Sequence, residues 1–371
     1  MIARFLSRYG LLLLGAACAA PGGPGPVPQT RTYYIAADEV NWDYIPTSLN
    51  QIRGDSLQGV EVLIGTSGSD RIGRVYRKAL YREYTDSTFT TLKPRPAEWE
   101  HLGYLGPLIR AVVGDTIRVV FHNNAMQPYS VHPHGVFYDK ASEGAGYNDG
   151  SPTSDRGDDG VQPDSTYTYT WTVPMRAGPT KEQGSTAMWM YHSHVNESKD
   201  VNAGLMGVML ITDPLMAKAD GTPNDIDREF VVAFAEIDEN DSWYFEHNIN
   251  TFATDPASVD RDANFAELSF NLNLRETMNG YQYGHIPGLT MKVGERVRWY
   301  TMGTTNFEVH APHWHGQTLI SNMMRTDVLS LVTMEMATAD MVPDNPGTWL
   351  FHCHVGFHFQ FGMGGMFTVT E

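Results

Sequence analysis

Two widely separated stretches of this chain carry one pattern. Residues 112–135 read VVGDTIRVVFHNNAMQPYSVHPHG, and residues 292–316 read KVGERVRWYTMGTTNFEVHAPHWHG. Each opens on Val-Gly-acid, continues as an alternating run, passes a polar turn and closes on His-x-His-Gly. Each half also carries a second histidine cluster near its end, His192/His194 in the first and His352/His354/His358 in the second. An internal duplication explains this economically and demands two like domains. A length of 371 residues suffices for two of ordinary size.

The runs between the clusters are short and β-rich: TIRVVF (116–121), YTYTWTV (167–173), GVMLIT (207–212), FVVAFA (230–235) and RVRWYT (296–301). Gly, Pro, Asp and Asn separate them, and no long helical stripe competes. The pattern predicts an all-β chain of two sandwich domains. We place them at 31–213 and 229–371, joined by the polar, Pro- and Gly-containing stretch 214–228. Residues 139–165, rich in Asp, Gly and Ser, read as a long surface loop. The net charge is −17, which repels nucleic acid and anionic membrane and attracts cations.

The N-terminus has Arg4 and Arg8, a short apolar run from Leu11 to Leu14, then small residues. That reads as an export leader over residues 1–20, followed by a flexible lead-in over 21–30. The expected location is periplasmic or extracellular. LLGAAC also resembles a bacterial lipoprotein box, which makes Cys18 a candidate lipid anchor. Removing the leader leaves Cys353 as the one cysteine, with no partner for a disulfide.

Ten of the fourteen histidines lie in four clusters: His132/His134, His192/His194, His310/His313/His315 and His352/His354/His358. Histidines two apart on a strand point to the same side and can grip one metal or two adjacent ones. Imidazole suits copper and zinc, and thiolate suits soft or borderline metals. In Phe351-His-Cys-His-Val, His352 and His354 face one way and Cys353 the other, so one strand can connect two metal sites. His310 and His358 can join Cys353, with Met363 as a weak axial ligand, in a blue-copper set. Eight histidines remain, enough for three further coppers. Four coppers can store the four electrons that dioxygen needs to reach water.

The duplicated unit resembles the cupredoxin, a small copper-binding Greek-key sandwich. The segments HPHG, HSH, HAPHWHG and HCHVGFHFQFGM resemble those of the multicopper oxidases. The resemblance implies four copper ions per chain equivalent. His310, Cys353, His358 and Met363 would hold the type 1 copper, and His132 and His313 the type 2. His134, His192, His194, His315, His352 and His354 would hold the type 3 pair. HSHV at 192–195 has no cysteine, as in two-domain laccases with blue copper in the second domain only. By that similarity Glu143 and Tyr138 stand near the cluster, with Glu143 as a proton shuttle. The same resemblance implies a homotrimer with trinuclear sites at subunit interfaces, because each half supplies four ligands.

The electron donor is drawn two ways. YYIAADEVNWDYIP, EWEHLGYLGPLI and DENDSWYFEHNI are similar to ceruloplasmin and hephaestin, whose ferrous site near the type 1 copper uses carboxylates and a histidine. Glu98 and His101 fall in a matching segment. Yet Phe357 stands where those ferroxidases carry an acid before the second type 1 histidine. We therefore expect laccase-like oxidation of phenolic or other aromatic donors, with ferrous or cuprous oxidation as the alternative. Copper nitrite reductase, with a single type 2 copper, has no need of eight further histidines, and a pure electron carrier has still less.

Overall fold

The computed structural model describes residues 25–264, 266–304 and 309–371. The proposed leader and Cys18 lie outside them.

The first half is a pair of four-stranded sheets. One runs in the order Val75–Tyr84, Thr30–Asp43, Thr116–Asn123, Thr166–Thr172. The other runs Ile109–Val112, Met206–Thr212, Thr186–His192, His132–Pro133. Alternation drives the packing. Ile117, Val119 and Phe121 point from one strand into the core, and Tyr169 and Trp171 meet them from the next. Ile109, Met209 and Ile211 close that core from the other sheet.

The second half repeats the plan. A six-stranded sheet runs Leu274–Met278, Arg228–Asp238, Val297–Thr304, Met336–Met341, Leu319–Ser321, Met324–Thr326. Its companion runs Thr290–Lys292, Gly364–Thr370, Gly347–Cys353, Pro312–Trp314. The duplication extends to register. Thr30–Asp43 pairs in parallel with Thr116–Asn123, as Arg228–Asp238 does with Val297–Thr304. His132 lies opposite His192 in the first half, and His313 opposite His352 in the second. The architecture is two tandem cupredoxin-like β-sandwiches.

FVVAFA is continuous rather than alternating because both of its faces are covered. Phe230, Val232 and Phe234 enter the second core. Val231, Ala233 and Ala235 pack on Met188, Met190, Val208 and Leu210 of the first half, forming a third cluster along the seam. Polar groups cross the same seam in matched pairs. Lys78 and Glu239 are both fully buried and ion-paired. Arg110 meets Glu229 at 2.7 Å. His101 has no exposed surface; its ring lies between Trp99 and Phe230, and its Nε2 accepts the Val231 N–H at 3.1 Å.

Candidate metal centre

In each half, a short strand brings one His-x-His beside another. His134 Nε2 lies 3.1 Å from His192 Nε2, and His315 Nε2 lies 3.1 Å from His352 Nε2. The other ring nitrogens explain this orientation. His132 Nδ1 donates to the Glu143 carbonyl at 2.6 Å, and His313 Nδ1 to the Asp327 carbonyl at 3.0 Å. His192 Nδ1 donates to the Ser193 carbonyl at 3.0 Å, and His352 Nδ1 to the Cys353 carbonyl at 2.8 Å. A carbonyl only accepts, so each Nδ1 carries the proton and each Nε2 keeps a lone pair. Backbone acceptors of this kind fix the tautomer of metal-bound histidines.

The Nε2 lone pairs of His192 and His352 therefore each face a second imidazole nitrogen across a gap that a proton or a metal ion can bridge. Ligand nitrogens about 2 Å from one ion would be spaced about as far apart as these are. A second proton on these rings is disfavoured. Burial, with repulsion from neighbouring imidazoles behind it, pushes His192 down to about 3 and His134 to about 4. Burial likewise pushes His352 down to about 4. Neutral imidazole is the ligating form, so the histidine sets fit metal ions.

His194 joins the first set through ring contact with His132 at 5.2 Å, and His354 joins the second through His313 at 5.1 Å. Among the described residues, ring contacts connect the four histidines within each half and none connects a histidine of one half to one of the other. A cavity of about 400 Å³ opens on the first set, lined by His132, His134, Tyr138 and Arg176. The Tyr138 ring lies 5.8 Å from that of His132. Glu143 touches His132 through its backbone. Its carboxylate instead takes Lys140 Nζ at 2.6 Å and the Tyr147 hydroxyl at 2.9 Å.

A third set has different chemistry. His310, Cys353 and His358 are all buried, and their ligand atoms lie within 4.8 Å of one another. Pro312 is in register with Cys353, and Cys353 Sγ stands 3.5 Å from His358 Nδ1. Both ring nitrogens of His310 are buried without a hydrogen-bond partner among the described residues, a cost that a bound ion would remove. Burial holds His310 near 3 and raises the Cys353 thiol. A thiolate here therefore needs a cation beside it. Two imidazoles and one thiolate in a dry pocket suit copper. Met363 is fully buried in the same core, and its carbonyl accepts the Cys353 N–H at 3.1 Å.

A fourth set had no signal in the sequence. Glu236 and Glu276 are Cα partners on adjacent antiparallel strands, and a carboxylate oxygen of each lies within 4.8 Å of a ring nitrogen of His358. Glu276 has no exposed surface. Carboxylate oxygens suit hard cations, so this set has the ligand chemistry to take one. His101 and Glu98 do not join this set. His101 is committed to the seam, its Nε2 taken by Val231. Phe357 is 44% exposed on the short helix Gly356–Gln360, its ring tilted against that of Phe361 at 4.4 Å.

Second supports were also missed. Asp200 is fully buried and braces the His192–His194 turn, accepting from Ser193 Oγ at 2.7 Å, Val195 N at 3.1 Å and Asn196 N at 3.0 Å. Glu197 Oε2 lies 3.5 Å from His194 Nε2.

Family models described as multicopper oxidase match residues 101–215 and 256–371. The chain belongs to the multicopper oxidase family. Among curated proteins, this multicopper oxidase is 43% identical to human ferroxidase HEPHL1 over 347 residues, covering 92% of the chain and 29% of that protein. It is 38% identical to rat hephaestin over 98% of the chain and 31% of hephaestin. It is 39% identical to human ceruloplasmin over 92% of the chain and 33% of ceruloplasmin. The chain thus spans about a third or less of the length of these relatives. A solved multicopper oxidase superposes with a TM-score of 0.55 at 16% identity, over 95% of this chain and 94% of that one. The blue copper oxidase of Nitrosomonas europaea gives 0.55 at 17%, over 92% and 86%. At those identities the structures speak for the fold alone.

Proposed function

We propose that this chain oxidises ferrous ion one electron at a time and delivers the electrons to dioxygen. Four ferrous ions and four protons are consumed per dioxygen, giving four ferric ions and two waters. The observation that carries this reading is the position of Glu236 and Glu276 against His358, which also belongs to the Cys353 set. Carboxylate oxygens suit hard cations and suit ferric ion better than ferrous, so they favour the oxidised product and ease removal of the electron. His358 lies between the two sets and offers a short path from one to the other. The relatives named ferroxidase, at up to 43% identity, favour the same donor. This replaces the phenolic donor that the sequence first favoured: Phe357 takes away one acid, but two others come from neighbouring strands. The half-exposed Phe357 ring keeps aromatic donors as the second reading.

Within this proposal His310, Cys353, His358 and Met363 form the type 1 set. His132 and His313 form the type 2 set, and His134, His192, His194, His315, His352 and His354 the type 3 set. Copper bound there supplies one-electron transfer and the site of dioxygen reduction. The backbone carbonyls of Glu143, Ser193, Asp327 and Cys353 hold the imidazoles in the ligating tautomer. Glu143, bridged to Lys140 and Tyr147, is the proposed proton carrier beside His132, with Tyr138 next to it. The two four-histidine sets are complementary, and they are not in ring contact within one chain. Copies are therefore proposed to join head to tail, one first half against the second half of its neighbour, closing as a trimer. Export remains part of this reading.

The test is steady-state oxygen uptake with ferrous ion and with 2,6-dimethoxyphenol, on wild type and on Glu276→Gln and Glu236→Gln. The expected result is a fall of about tenfold or more in kcat/KM for ferrous ion, consistent with losing one charged ligand, with phenol turnover unchanged. Higher kcat/KM for the phenol in the wild type, or ferrous turnover indifferent to both substitutions, would overturn it.

A further inference from the structure

A cavity of about 1030 Å³ opens at the seam between the halves, and none of its lining residues belongs to the histidine or cysteine sets. Its size reaches the upper end of ordinary small-molecule pockets. Two features define its chemistry. The first is a wall of aromatic rings held in place from both halves. Trp42 lies 5.1 Å from Tyr281 and 6.2 Å from Tyr104, and its indole N–H is fixed on the Gly280 carbonyl at 2.7 Å. Trp99 lines the cavity as well, with the Arg110 guanidinium 6.0 Å over its ring.

The second feature is a cation with donors to spare. Four cationic residues line the cavity against three carboxylates, in a chain whose net charge is −17. Three of the cations are committed: Lys93 to Glu83 at 2.8 Å, Arg110 to Glu229 at 2.7 Å, Arg82 to Asp38 at 3.6 Å. Arg95 differs. It donates to the Gly103 and Leu105 carbonyls at 2.7 and 2.6 Å, and among the described residues no carboxylate lies within ion-pairing distance of it. A guanidinium has five N–H donors, so those two bonds orient Arg95 without exhausting it.

We infer that this cleft binds a planar aromatic anion, its ring against the side chains of Trp42, Tyr281 and Trp99 and its charge on Arg95. Rings stack on rings with a preference that aliphatic walls do not offer, and a guanidinium matches a carboxylate or sulfonate through paired N–H donors. This site stands apart from the question of which donor the copper set oxidises.

The probe is naphthalene-2-sulfonate, titrated calorimetrically into the copper-loaded protein, with neutral 2-naphthalenemethanol as its comparator. One sulfonate per chain is expected, with the neutral analogue about tenfold weaker or more. Arg95→Gln should bring the sulfonate down to the neutral analogue's affinity and leave that analogue unchanged. Trp99→Ala should weaken both. An unchanged visible spectrum of each variant checks that the copper sites and fold survive. No binding to wild type, equal binding of the two probes, or a sulfonate affinity indifferent to Arg95→Gln would each overturn the inference.

Discussion

His101 should make the fold sensitive to mild acid. Burial at the seam pushes this imidazole from 6.5 down to about 4, and it has no exposed surface. Its Nε2 accepts the Val231 N–H at 3.1 Å, so protonation would set two donors against each other. The unfolded chain therefore takes up this proton first as pH falls. The stability contributed is whole above pH 6.5 and is lost between there and about 4. One shifted unit corresponds to about 1.4 kcal/mol, so the full shift is worth about 3 kcal/mol, with about 2 kcal/mol of it lost by pH 5. The assay is urea unfolding of copper-loaded wild type and His101→Gln at pH 7 and pH 5, followed by tryptophan fluorescence. Both proteins share every other titrating group, so the difference of differences isolates His101. Wild type should lose about 2 kcal/mol more than the variant between the two pH values. Parallel losses would mean that the seam does not hold His101 neutral, and the reasoning would fail.

Two further perturbations address the sets and the seam. Cys353→Ser should abolish the intense visible absorption of a copper–thiolate pair and remove about one copper per chain by elemental analysis; retention of the colour would refute the placement. Lys78→Met should destabilise by about 3–5 kcal/mol in urea unfolding, because it strands a buried Glu239 carboxylate, while Lys78→Met with Glu239→Gln should recover most of that loss. If the double variant is no better than the single one, the two groups are not energetically paired.

Much of this was legible because duplication leaves its mark on periodicity. Paired Val-Gly-acid strands and paired His-x-His segments foretold two sandwiches, and the structure then sets His132 opposite His192 and His313 opposite His352. That Cys353 faces away from His352 and His354 followed from strand alternation, and the family resemblance named His310 and His358 as its companions, which the structure brings together. Other features left no trace. Glu236 and Glu276 form a pair only because two strands align, and nothing in AEIDE or RETMN announces that register. The carbonyls of Glu143 and Asp327 orient two histidines, but a backbone acceptor has no residue type to read. FVVAFA was seen as a strand, yet an apolar run alone does not reveal that its second face meets another domain.

The costs in this fold are unevenly distributed, and the unevenness is informative. Along the seam, buried charges are met by opposite charges: Lys78 by Glu239, Arg110 by Glu229, and Arg298 by Asp340. At the metal sets the reverse holds. Imidazole Nε2 atoms face each other at 3.1 Å in both halves, both nitrogens of His310 have no hydrogen-bond partner among the described residues, and two carboxylates sit on paired strands. The unpartnered nitrogens of His310 oppose folding of the metal-free chain, and a cation bound there removes that cost. An ion that binds only the folded state stabilises it in proportion to the logarithm of its concentration over its dissociation constant. The same residues that make the empty fold expensive therefore make the loaded fold stable. His310, Cys353 and His358 are buried, whereas the Glu236–Glu276 pair is partly open at Glu236 and carries oxygen rather than sulfur ligands. Buried nitrogen and sulfur ligands, as at His310, Cys353 and His358, suit copper, whereas carboxylate oxygens suit a hard cation.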